Sequence, residues 1–115
     1  MSISKKGCPF SGRPLVTQLK GRQKFLRLFG DSSKAKGLRS GFVVLKPKES
    51  VGLHNTGPSE EVIFIISGSG LVCHGKKDSV KIKKNSFVYI PPQIPHNVIN
   101  TGKDLLRYIY TAARV

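Results

Sequence analysis

Short β-rich runs separated by turn residues fill the chain beyond Ser40, and they restrict its fold more than any other feature. They are rich in Val, Ile, Phe and Tyr, while Gly, Pro, Asn, Asp and Lys separate them. No helix-length hydrophobic pattern lies between them, so the sequence predicts an all-β sandwich or barrel of short strands. The predicted strands are GFVVLK, VGLHN, EVIFII, LVCH, SVKIK, FVYI, HNVIN and LLRYIYT.

The length of 115 residues is that of one domain. Up to about Pro14 the chain is polar and interrupted by Gly and Pro, which predicts a loose arm. The apolar residues between there and Gly30 fit a short strand or a helix, and we favour the strand. We therefore predict an N-terminal arm with one or more short leading strands at residues 1–40 and a β-barrel at residues 41–115.

The chain is strongly basic, with 20 Lys and Arg against six Asp and Glu and a formal net charge of +14. This charge favours anionic partners, whether phosphorylated metabolites, nucleic acid or an acidic protein. The alternative is a solubilising surface with no specific partner. Because no basic stretch is interleaved with stacking aromatics, nucleic acid is the weaker expectation.

Cysteine usage indicates a reducing compartment, and hydropathy predicts neither a membrane span nor a secretory signal. The chain has two cysteines and no CxxC spacing, which excludes a disulfide framework. No apolar run approaches the roughly 18 residues of a membrane span. No apolar run follows the basic residues at the start either, as it would in a secretory signal. We expect a cytoplasmic protein with no membrane association.

Two histidines and one glutamate are candidate metal ligands. Residues two apart share a face of a strand, so Glu61 points the same way as Ile63 and Glu60 points the opposite way. If the runs carrying His54 and His96 line the same barrel, both imidazoles can converge with Glu61. Such a set binds divalent iron, manganese, zinc, nickel or cobalt and leaves positions open. The alternative is that both histidines are core residues with satisfied hydrogen bonds.

Two sequence motifs resemble those of the cupins, which are small barrels of the double-stranded β-helix or jelly-roll type. The first cupin motif is Gly, five residues, HxH, three or four residues, Glu, six residues and Gly. Its later positions are occupied here by His54, Thr56, Glu61 and Gly68. The second motif is Gly, five residues, PxG, two residues, His, three residues and Asn, and NSFVYIPPQIPHNVIN matches it with Asn85, Pro91, Gln93, His96 and Asn100. The resemblance covers about residues 41 to 112.

The departures from the motifs concern one ligand and three turns. Thr56 stands at the second histidine of HxH, so the resemblance implies three ligands instead of the usual three His and one Glu. His74 is the remaining imidazole that can supply a fourth. Lys48, Asn85 and Gln93 stand at glycine positions, changes that affect loops and leave the barrel intact.

The resemblance implies a metal-dependent small-molecule protein, with a dioxygenase or isomerase among the activities of the family. The alternative is a non-catalytic cupin that has lost its metal and binds a sugar or other small molecule. For both functions, the bound molecule is expected to be anionic if the positive charge of the chain serves to bind it. Candidate ligand contacts are Thr56, Tyr89, Gln93 and Asn100, although an asparagine here can instead fix a turn. Any of the three tyrosines can line the pocket. Cupins of this size are typically homodimers, and EVIFII, apolar on both faces, fits a sheet covered on its outer side.

Overall fold

The computed structural model describes residues 12, 14–30 and 35–115, so most of the predicted loose arm lies outside the described residues. In the described part the chain forms eight β-strands and no helix, and therefore no helix that could cross a membrane. The strands are β1 (Phe25–Phe29), β2 (Leu38–Leu45), β3 (Ser59–Ser67), β4 (Ser69–His74), β5 (Asp78–Lys83), β6 (Phe87–Ile90), β7 (His96–Asn100) and β8 (Leu106–Arg114).

The strands form two antiparallel sheets that enclose one core. The larger sheet has the order β1-β2-β8-β3-β6 and the smaller one the order β5-β4-β7. Seven of the eight strands, all except β1, contribute residues to the buried cluster, and the two sheets confirm the all-β prediction. The buried cluster contains Val43, Leu45, Ile63, Ile65, Val72, Ile82, Ile90, Val98, Leu106 and Tyr108.

One predicted strand is wrong. The run VGLHN is an extended loop attached to β7 by the single bridges Ser50–Ile99 and His54–His96. Gly52 has a φ of 95°, so the backbone leaves the extended conformation there and cannot continue a regular ladder. The other seven predicted runs all contain strands, and the short strand favoured before Gly30 is β1.

The predicted boundary at residue 41 falls within a strand. β2 begins at Leu38, and β1 pairs with it antiparallel in the same sheet. The segment before β1 also contacts the barrel, because the amide of Val44 donates to the carbonyl of Lys24 at 3.0 Å. The leading strand is thus an integral edge of the larger sheet.

The three glycine positions of the cupin motifs keep a glycine-like backbone. Lys48, Asn85 and Gln93 have φ values of 72°, 71° and 64°, and they are the non-glycine residues with positive φ in the described part of the chain. Side chains other than glycine are disfavoured in this region, asparagine least of all. The turns therefore retain their shape while carrying side chains that cost free energy.

The outer face of β3 and β6 is partly apolar and exposed. Val62 and Phe87 are 41% and 74% exposed, and Phe87 packs against the half-buried Phe64 with ring centroids 4.7 Å apart. Tyr89 lies on the same face. We call Val62, Phe64, Phe87 and Tyr89 the outer apolar patch.

Candidate metal centre and its cavity

His54 and His96 are brought together by backbone pairing between the loop and β7. The amide of His54 donates to the carbonyl of His96 at 3.0 Å, and the amide of His96 donates to the carbonyl of His54 at 2.9 Å. Directly opposed residues project to the same side of a ladder. The two imidazoles accordingly meet edge to face, with centroids 4.2 Å apart.

Glu61 completes the group from the facing sheet. It lies on the inner face of β3 with Ile63 and Ile65, as predicted, and is buried. One carboxylate oxygen lies 3.8 Å from Nε2 of His96. One potential ligand atom from each of His54, Glu61 and His96 lies within 4.8 Å of the others. The structure therefore places the three predicted ligands at one point.

Hydrogen bonds orient both imidazoles toward this point. Nδ1 of His54 lies 2.9 Å from the carbonyl of Gly52, and Nδ1 of His96 lies 2.7 Å from the carbonyl of Ile94. A carbonyl oxygen only accepts, so each Nδ1 carries the hydrogen and donates it. In the neutral ring Nε2 then has the free lone pair that a metal requires.

Nε2 of His96 is buried and has no hydrogen-bond partner in the described part of the chain. Its distance of 3.8 Å to Glu61 is too long for a hydrogen bond. A core histidine with a structural role would have both nitrogens satisfied, since leaving a buried polar atom unpaired costs about 1–3 kcal/mol. The orphaned nitrogen beside a carboxylate fits a bound cation better.

Electrostatics at His96 also favour positive charge. Burial lowers the pKa of His96, but the interactions of its ring with Glu61 and with the carbonyl of Ile94 outweigh that effect, and the pKa is raised from its ordinary value. The position thus attracts either a proton or a metal cation. Glu61 and the two Nε2 atoms form a donor set suited to a divalent metal.

His74 does not belong to the group. It lies opposite His96 on β4 and is partly buried, but its ligand atoms are not within the mutual distance that joins the other three residues. The described residues thus supply three protein ligands, which leaves coordination positions for water or a ligand.

A cavity of about 240 Å³, which we call the inner cavity, opens beside the group. It is smaller than the sites that bury drug-sized molecules, which measure about 300–1,000 Å³. His96 is fully buried and does not line it. The lining consists of Phe25, Arg39, Val43, Val51, His54, Thr56, Glu61, Val98, Tyr108 and Tyr110.

Two tyrosines of β8 line the inner cavity. The pKa of Tyr108 is raised by burial and then by the nearby Glu61 and Tyr110, so its phenol stays protonated near neutral pH. The Tyr110 ring lies against Gly41, where a Cβ atom would approach the ring to 2.6 Å. Gly41 therefore creates the space in which Tyr110 lies over β2.

Of the four predicted ligand contacts, Thr56 alone lines the inner cavity. It is half-buried, and its hydroxyl donates to the carbonyl of Ser59 at 3.1 Å. The lone pairs of that oxygen remain available to a ligand. Thr56 thus occupies the position of the second histidine as a hydroxyl group.

The other three predicted contacts do not line the inner cavity. Tyr89 is exposed on the outer face of β6, where its hydroxyl donates to Glu60 at 2.9 Å. Gln93 is also exposed, and its contribution is a backbone amide that donates to the carbonyl of Gly57 at 2.9 Å. Neither residue lines the inner cavity. Tyr89 faces outward because strand alternation places it opposite Val62 and not opposite Glu61.

Asn100 has a structural role. It is fully buried, and its amide nitrogen donates to the carbonyls of Leu45 and Asp104 at 2.9 and 2.8 Å. Its side-chain oxygen accepts from the amide of Gly102 at 2.9 Å. These bonds join β2 to the turn after β7, so the Asn100 side chain fixes backbone, as in the alternative stated for it, and contact with a ligand stays a prediction.

Sequence reasoning missed Arg39. It lies on the inner face of β2, and assignment of residues 1–40 to the arm hid that position. Alternation was a usable signal, because Arg39, Gly41, Val43 and Leu45 share one face once the strand begins at Leu38.

Part of the chain is similar in sequence to another protein. An uncharacterised protein of Methanocaldococcus jannaschii, MJ1618, is 35% identical over 57 residues, which are 50% of this chain and 45% of that protein. The match thus spans about half the length of each.

Solved structures with the same fold come from distant organisms. The Cnp3 cupin domain of Schizosaccharomyces pombe has a TM-score of 0.72 at 20% identity, covering 86% of this chain and 69% of that one. A predicted oxalate decarboxylase of Thermotoga maritima has a TM-score of 0.72 at 24% identity, covering 79% of each chain. An RmlC-like cupin of M. jannaschii, described as a double-stranded β-helix, has a TM-score of 0.72 at 19% identity, covering 88% of this chain and 91% of that one.

At these identities the structural likeness shows the fold alone, and it confirms the predicted double-stranded β-helix. The family model described as "Cupin domain" matches residues 41–111, which contain both motifs, the three clustered side chains and most of the inner cavity. The chain belongs to the cupin family.

Proposed function

We propose that this cupin binds a divalent metal ion through His54, Glu61 and His96 and holds a small molecule in the inner cavity. The observation that carries the proposal is the buried Nε2 of His96, which lies in a cluster with Glu61 and His54 and has no hydrogen-bond partner among the described residues. Open coordination positions and the adjoining cavity are what a ligand needs in order to reach the ion.

Each side chain has a separate task at this site. Glu61 and His96 are buried and supply fixed donors, while His54 is exposed and lies on the solvent side. The carbonyls of Gly52 and Ile94 fix the imidazole orientations. Thr56 offers a hydroxyl to the ligand. When bound, a divalent metal would polarise an oxygen of the ligand or orient it, with the identity of the metal left open among iron, manganese, zinc and nickel.

An enzyme of the dioxygenase or isomerase type and a non-catalytic binding protein remain the two forms of this proposal. One observation favours the second: Glu61 and His54, both assigned to the metal, are the carboxylate and imidazole among the described lining residues. The described lining of the inner cavity contains no further carboxylate or imidazole that could act as a general acid or base. Tyr108 has a raised pKa, which makes its phenol unsuited to act as a base. Disappearance of a bound ligand on incubation with the metal-loaded protein would favour the enzyme.

Metal content tests the site directly. Protein purified without added metal is compared with Glu61→Gln and His96→Ala by elemental analysis, with His74→Ala as a matched control that removes an imidazole outside the cluster. We expect metal in the wild type and in the control, and loss from the other two variants, with circular dichroism confirming folding. Equal metal content in all four proteins would refute the site.

Chelation provides an independent measurement of the same site. A ligand that binds the native state stabilises it by about 2.7 kcal/mol at a free concentration 100-fold above Kd. Removing the metal should therefore lower the melting temperature of the wild type and of His74→Ala, but not that of Glu61→Gln. An equal decrease in all three proteins would contradict the assignment.

Nucleic-acid association stays the weaker alternative. It rests on the net charge of +14 and predicts affinity that falls steeply with salt and ignores sequence. Binding of a duplex oligonucleotide measured at two salt concentrations tests it.

A further inference from the structure

Arg39 and Glu61 lie in one row across the larger sheet. Arg39 pairs with Ala112 of β8, and Ala112 pairs in turn with Glu61 of β3. Residues in one such row project to the same side, here the interior, and neighbouring strands are about 4.8 Å apart, so the two Cα atoms are separated by roughly 10 Å. Ala112, which has a small side chain, lies between them in this row.

Arg39 also joins two concave surfaces. It lines the inner cavity, and with Thr56 it lines a second cleft of about 360 Å³. Lys36 and Arg114 line this second cleft as well, and no acidic residue occurs in its described lining. We call it the basic cleft. Arg39 thus lies where the linings of the inner cavity and the basic cleft meet.

With a metal bound, the charges of the inner cavity favour an anionic occupant. Glu61 is the acidic residue among its described lining residues, and Arg39 is the permanently charged basic one. Once a divalent cation is bound by Glu61, the remaining charge in the cavity is positive. A half-buried guanidinium presents a planar fork of donors that matches carboxylate and phosphate oxygens.

Part of the lining of the inner cavity is apolar. Val43, Val51 and Val98 line it together with the ring of Phe25. Val51 lies in the loop that carries His54, whereas Val43 lies on the same strand as Arg39. A ligand that matches both the charged and the apolar lining residues has one charged group and a short apolar body.

We propose that the ligand is a small organic anion, a carboxylate or a phosphate, whose charged group is bound by Arg39 at the junction of the inner cavity and the basic cleft. Its apolar body lies against the valines of the inner cavity. The inference rests on the proposed function, because it takes the inner cavity as the ligand site, and it adds the class of ligand and the residue that selects it.

The test is calorimetric binding of three probes that share an aromatic ring: benzoate, phenyl phosphate and the neutral benzamide. Each is titrated into metal-free and zinc-loaded protein, as wild type, Arg39→Gln and Arg39→Lys. Arg22→Gln is the matched control, because Arg22 is exposed on the other side of the larger sheet beside Phe42 and carries the same charge. Thermal melting verifies that every variant is folded.

We expect at least one anionic probe to bind the wild type and Arg22→Gln equally and Arg39→Gln at least about tenfold more weakly, with Arg39→Lys in between. The anionic probe with the higher affinity indicates whether the ligand carries a carboxylate or a phosphate. Benzamide should bind weakly, with the same affinity for the wild type and the Arg39 variants. If Arg39→Gln and Arg22→Gln weaken anion binding equally, the binding is due to the overall positive charge of the protein, and the inference is overturned. Absence of anion binding to the wild type in both metal states would overturn it as well.

Metal content separates this result from the proposed function. Arg39→Gln should retain the metal of the wild type, since Arg39 is not a ligand. Arg39-dependent anion binding by a wild type that holds no metal would sustain the anion site and refute the metal site. A wild type that holds metal but binds the anions independently of Arg39 would sustain the metal site and refute the anion site.

Discussion

Replacement of Asn100 by alanine is expected to destabilise the barrel without changing its metal content. The substitution removes three hydrogen bonds from a fully buried side chain, namely those to the carbonyls of Leu45 and Asp104 and from the amide of Gly102. Each bond contributes about 0.5–1.5 kcal/mol net, and a buried group left unpaired costs more. The expected loss is about 2–4 kcal/mol, with a fall in Tm on the order of 10 °C for a domain of this size.

Asn97→Ala is the matched control, because the side chain of Asn97, on the same strand, accepts one hydrogen bond, from the amide of Gly52 at 2.9 Å. It should cost about 1 kcal/mol. Urea denaturation of both variants with a shared m value gives the difference directly. A loss in Asn100→Ala no larger than that in Asn97→Ala would refute the reasoning. Wild-type stability combined with lost benzoate binding would return Asn100 to the ligand site.

Two further predictions concern the turns and the outer surface. Lys48→Gly should stabilise the protein by about 0.5–1 kcal/mol, since it removes a side chain from a left-handed backbone, whereas Gly75→Ala, at a φ of 63° with open space around it, should destabilise it. Urea denaturation measures both effects, and a less stable Lys48→Gly would contradict the argument from φ. The homodimer stays a prediction, in which a second copy covers the outer apolar patch. Phe87→Glu should then give monomers in light scattering. Lys83→Gln, which makes the same change in net charge on β5, should leave the dimer intact. A monomeric wild type would refute it.

The local pattern of the chain predicts much of what the structure contains. Alternation in EVIFII is enough to separate the buried Glu61 from Glu60, because the side-chain period of a strand does not depend on distant contacts. Motif spacing identifies His54 and His96 as partners of Glu61. The three side chains do lie together although His54 is in a loop, because two backbone hydrogen bonds to His96 replace a full strand ladder. Their role as metal ligands stays a prediction.

The same local pattern misjudges residues whose role depends on what lies opposite them. Tyr89 and Asn100 occupy plausible motif positions, yet one faces solvent beside Glu60 and the other is committed to backbone groups. Tyr108 and Tyr110 resemble Tyr89 in sequence, but the register of β8 against β2 and β3 turns them inward. Sequence periodicity does not specify that register.

The sequence by itself determined the all-β class, the cupin motifs and the three candidate ligands, because these depend on residue type and short spacing. The tertiary structure decided that Arg39 faces Glu61 across Ala112, since that row joins residues far apart in the chain through strand pairing. It also decided that Nε2 of His96 is buried with no partner in the part of the chain that the structure describes, because burial is a property of the packed sheets and not of any local segment.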